Sequence, residues 1–92
     1  MPQIFKIGEY VIYFWSNENN PLEPVHVHIA NGKPTNNATK IWITESKKCL
    51  VCNNNSEIPA NELKNLIRVL EANGDIIVSK WYAHFGEIRY YC

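Results

Sequence analysis

The chain has 92 residues, with nine Lys and Arg against nine Asp and Glu and a formal net charge of zero. That length makes one small domain, 1–92, of modest stability, because a short chain buries a small share of its surface. Neutrality argues against a grip on nucleic acid through bulk charge, and 46% hydrophobic residues exclude a disordered chain.

Ile4-Phe5-Lys6-Ile7 is a short apolar run, and Gly8-Glu9 breaks it. Tyr10 to Trp15 is rich in β-branched and aromatic residues, which suit a pleated, half-buried surface. Gly8 between the two runs points to a hairpin. Residues 16–24 cannot continue the strand, since Asn, Pro and Ser dominate and each proline removes a backbone donor. Val25 to Ala30 alternates as the next strand, Asn31-Gly32 marks a turn, and Ala38 to Thr44 follows. Cys49-Leu50-Val51-Cys52 is a short fifth strand. The period then changes. Leu63, Leu66, Ile67 and Leu70 form one helical stripe, with Pro59 in the first turn and Asn73-Gly74 as the stop. Asp75 is placed to cap a second helix, Ile76 to Phe85, whose buried face is Ile77, Val78, Trp81, Tyr82 and Phe85. Gly86 ends it, and Glu87 to Cys92 is a short strand or a tail. Strands first and helices after give an α+β fold: an antiparallel sheet of four to five strands followed by two C-terminal helices packed on one face.

His26 and His28, two of the three histidines, stand at i and i+2 on a strand. Such side chains share a face, with α-carbons about 7 Å apart. Both imidazoles could then bind one zinc, each nitrogen about 2 Å from the metal. The third ligand would be His84, with Glu23 or Cys49 as alternatives. Without a metal, the pair could serve as general base and acid on an RNA phosphodiester. That chemistry needs a cation for the developing charge, and Lys33, Lys40, Arg68 and Arg89 are available. The plain structural alternative puts both rings on the solvent side of the sheet, with Val25, Val27 and Ile29 facing the core.

Ser16 and Asn17 follow the aromatic strand and are placed to line the same pocket as the histidines. Alternation sets Val11, Tyr13 and Trp15 on one strand face and Tyr10, Ile12 and Phe14 on the other. Helices would cover one face, leaving Tyr13 and Trp15 as contacts for a second protein. Cys49 and Cys52 have C-x-x-C spacing, but no helix follows directly, so small apolar packing or an exposed thiol is the expectation.

In their order and spacing, "MPQIFKIGEYVIYFWSNENNP", "PVHVHI", "ATKIWI", "ANELKNLIRVLEAN" and "IIVSKWYAHFG" resemble the small bacterial proteins of domain-of-unknown-function family 4160. The resemblance carries Ser16, Asn17, Pro24, His26, His28, Trp81 and Phe85 as motif positions. Here Leu22-Glu23 lengthen the loop before the histidines, and Pro59 replaces a Ser or Thr helix cap. The resemblance implies a toxin–antitoxin-like module working with a small cognate protein from a neighbouring gene. It assigns no catalytic residue.

Three functions follow: an interaction module with that partner or as a homodimer, a ribonuclease using the His-x-His strand, and a non-catalytic nucleic-acid binder. No apolar run is long enough to cross a bilayer, which argues against a membrane partner. The start, Met1-Pro2-Gln3-Ile4-Phe5-Lys6, lacks the pattern of a signal peptide. With an odd number of cysteines, a reduced cytoplasmic setting is expected.

Overall fold

The computed structural model describes residues 3–16 and 22–92. Strands β1 (Gln3–Ile7), β2 (Tyr10–Tyr13), β3 (His26–Asn31), β4 (Thr39–Ile43) and β5 (Cys49–Asn53) precede helices α1 (Ala60–Ala72) and α2 (Gly74–Phe85). Each strand pairs antiparallel with the next, so the sheet order is the chain order. The α+β arrangement read from the sequence is the one observed.

The β1–β2 connection works because Gly8 takes φ 59. A two-residue hairpin with Ile7 opposite Tyr10 needs positive φ at its first central position, which glycine adopts without a Cβ penalty. The turn is anchored from β3's end, where the Glu9 carbonyl accepts from the Gly32 N–H at 3.1 Å.

Strand alternation sorts the side chains into two layers. Ile12, Phe14, Val27, Ile29, Ile41 and Ile43 pack with Leu66 and Leu70 of α1 and Ile77 and Trp81 of α2. Val11, Tyr13, Ala30 and Ala38 form a second cluster with Trp15 on the reverse face. That reverse face is not left open for a partner, as alternation alone suggested. Tyr13 is fully buried by the chain itself, and its hydroxyl donates to the Thr35 carbonyl at 2.9 Å. The loop of residues 32–38 therefore folds back over β2.

The helix boundaries correct three expectations. Pro59 stands just before α1 as its N-cap residue, not in its first turn. Asn73 separates the helices, and Gly74 opens α2, so Asp75 lies in the first turn and caps nothing. Asp75 still places its negative charge where the helix dipole favours it. Gly74 is required there: a Cβ at this position would stand 2.9 Å from the Lys47 Cβ. On α2, Ile77 and Trp81 are buried and Val78 and Phe85 half-buried, but Tyr82 is exposed. Gly86 ends α2 with φ 77.

The last residues form neither strand nor loose end. The Arg89 carbonyl accepts from the Val25 N–H at 2.8 Å, and the Cys92 carbonyl accepts from the Glu45 N–H at 3.0 Å. The tail is thus strapped across the sheet where β3 begins, and it lays Tyr91 flat on Trp42 at 4.9 Å.

Candidate functional site

Sheet register decides what meets the two histidines. Tyr13 of β2 lies opposite His28, and His28 lies opposite Lys40 of β4. Two pairs along, His26 faces Trp42. The His26 and His28 ring centroids are 5.0 Å apart, edge to face. The i, i+2 spacing therefore brings the imidazoles together, as expected.

Their surroundings differ from expectation. His26 is 0% exposed and His28 8%, so neither ring is on a wet face. Tyr13 stacks on His28 at 5.5 Å, and Trp15 lies 6.5 Å from it. His26 stands between Trp42 at 5.6 Å and Trp81 at 5.2 Å. The large aromatic side chains beside them bury both rings, with Trp81 of α2 against His26 and Tyr13 and Trp15 beside His28. The Pro24 carbonyl accepts from His26 Nδ1 at 2.9 Å. That bond fixes the proton of the neutral ring on Nδ1 and leaves Nε2 as the acceptor nitrogen.

The other candidates fall in several places. Tyr13 and Trp15 pack on the histidine pair. His84 does not join it. This exposed ring donates from Nε2 to the Ser16 carbonyl at 3.3 Å and rests on Phe14 at 5.6 Å. Ser16 thus meets His84 through its backbone, and Asn17 lies outside the described residues. Glu23 is bound by Lys40 Nζ at 2.7 Å, and Cys49 packs with the helix-side core. Among the described residues, no three His, Cys, Asp or Glu side chains converge as metal ligands. The expected zinc set of His26, His28 and His84 is therefore not assembled, because the third imidazole projects from α2 toward the end of β2. Of the four cations considered, Lys40 is the one paired with His28; its ammonium also sits 4.4 Å over the Trp42 ring.

Cys49, Cys52 and Cys92 are all free. Burial, then the neighbouring Glu71 carboxylate, push the Cys49 thiol up to about 12, so it is protonated and a poor nucleophile at neutral pH. Glu71 Oε2 also accepts from the Cys49 N–H at 3.0 Å.

A second feature lay outside the sequence reading. Ile7, Gly8, Glu9 and Tyr10 of the first hairpin face Glu62, Asn65, Leu66 and Val69 of α1 across a cavity of about 420 Å³. The signal in sequence was slight: Glu62 lies off the apolar stripe of α1, and nothing local says that the helix lies against the Gly8 turn. Tyr10 donates to Glu62 Oε2 at 3.2 Å across this groove. Burial first, then Glu62 and lastly Glu9, hold the Tyr10 phenol above its ordinary pKa.

Among the described residues, no helix is long and apolar enough to cross a membrane. A family model described as Domain of unknown function (DUF4160) matches residues 9–82. No curated protein and no solved structure matches the chain.

Proposed function

Since the chain belongs to the DUF4160 family, a domain family of unknown function, we propose that it is a small cytoplasmic bacterial module of a toxin–antitoxin-like pair, acting through a cognate protein partner. The enclosure of His26 and His28 carries this reading. General acid–base work requires rings that reach a substrate proton, and these two are 0% and 8% exposed. His26 packs between Trp42 and Trp81 of α2, and His28 packs on Tyr13. What the molecule offers to solvent is instead apolar surface: Leu50 and Val51 on the edge strand β5, Ile76 and Tyr82 on α2, and Tyr91 on the tail. Such surface is what a protein partner covers.

The test is co-expression with the small protein encoded beside it, followed by size-exclusion chromatography with light scattering. The expected result is a complex of fixed stoichiometry that survives dilution to micromolar concentration. A chain that elutes as a monomer beside an independent neighbour would overturn the proposal.

Lys40 opposite His28 supports a second reading, cleavage of RNA by the histidine strand. On that reading His28→Ala and Lys40→Ala, with fold retained, would abolish hydrolysis of a labelled RNA. On the interaction reading purified chain shows no such hydrolysis at all.

A further inference from the structure

The groove between the first hairpin and α1 combines apolar walls with two carboxylates. Ile7, Leu66 and Val69 supply the walls, and Glu9 and Glu62 the charge. The carboxylates come from different elements, one from the Gly8 turn and one from the first turn of α1. Among the described residues, no Lys or Arg forms an ion pair with either. Glu9 receives one long hydrogen bond, from Asn31 Nδ2 at 3.5 Å, and Glu62 receives the Tyr10 hydroxyl. Both acids therefore retain acceptor capacity beside an apolar surface.

We propose that this groove receives a segment of a partner protein bearing one Arg or Lys flanked by apolar residues, the cation resting between Glu9 and Glu62 and the apolar neighbours on Leu66 and Val69. This inference rests on the interaction-module reading and adds a contact surface to the exposed apolar side chains named there. Charge complementarity sets the sign of the occupant: a guanidinium or ammonium satisfies two carboxylates at once, whereas an acidic segment would be repelled. The groove's position favours an extended polypeptide. Ile7 is the last residue of β1, which stands first in the sheet order, so the groove opens beside an outer strand of the five. The volume suits two or three side chains and lies in the range of built binding pockets.

The experiment uses the full chain with Asn65 replaced by the photo-reactive residue p-benzoylphenylalanine, co-expressed with the neighbouring gene product and irradiated. A second chain carries the same probe at Leu50, on the opposite edge of the sheet. The expected result is a crosslink from position 65 to a partner peptide containing Arg or Lys beside apolar residues. Glu9→Gln with Glu62→Gln, which keeps shape and removes charge, should weaken the complex about tenfold. Glu62→Lys should abolish it, and replacing the partner's basic residue by Glu should restore it. Circular dichroism of each variant checks that the fold is intact. A stable complex that crosslinks from position 50 but not from 65 overturns the groove and leaves the interaction reading standing. Capture of a second copy of this chain, or of a segment without a cation, also overturns it. No complex at all overturns both.

Discussion

His26 and His28 are both buried among aromatic rings. His26 donates to the Pro24 carbonyl, and its ring lies edge-on to Trp42 and Trp81. His28 stacks on Tyr13. Truncating either ring removes packing on several sides, so His26→Ala and His28→Ala should each lower unfolding free energy by roughly 2–4 kcal/mol in urea titrations. A second residue-scale expectation concerns Cys49. Burial, then the Glu71 carboxylate, push its thiol from the ordinary 9.0 up to about 12. The unfolded thiol therefore ionises before the folded one. The linked stability is fully present below pH 9 and is lost as pH rises from about 9 toward 12. Iodoacetamide at pH 8 should label the exposed Cys52 and Cys92 first and Cys49 last, as read by peptide mass mapping.

At the scale of elements, Gly74 and the tail give two tests. A Cβ at Gly74 would meet Lys47 Cβ at 2.9 Å, and Lys47 sits in a tight turn with φ 67 that leaves little room to retreat. Gly74→Ala should therefore destabilise by about 1–3 kcal/mol in thermal unfolding, although alanine is the better helix former. Tyr91→Ala uncovers one face of Trp42 and should shift tryptophan emission to the red, with a stability loss of about 0.5–1.5 kcal/mol. These two features also mark where the sequence was legible. Tyr10 to Tyr13 announces itself by β-branched and aromatic residues, His26 to Asn31 by alternation, and the Leu63, Leu66, Leu70 stripe by period 3.6, because these are regular elements with local signals. The loop of residues 32–38 and the tail have no period. Nothing in Lys33-Pro34-Thr35 states that its Thr35 carbonyl will take the Tyr13 hydroxyl, nor does Tyr91 state that it will find Trp42. Hence the histidines' shared face was readable and its burial was not.

For the whole molecule, among the described residues, two helices pack on one face of the sheet and the 32–38 loop and aromatic side chains cover β2 on the other, while Leu50 and Val51 of β5 stay exposed. The groove beside the Gly8 turn and the exposed side chains of β5 lie outside these layers. A 92-residue chain buries a small share of its surface, and here aromatic side chains in and beside the core layers enclose His26 and His28. The most direct test of that enclosure is diethyl pyrocarbonate modification of the native protein, mapped histidine by histidine by mass spectrometry. Enclosure predicts that exposed His84 is modified while His26 and His28 react only once the chain is unfolded in urea. Modification of His26 and His28 in the native state, as fast as His84, would contradict it.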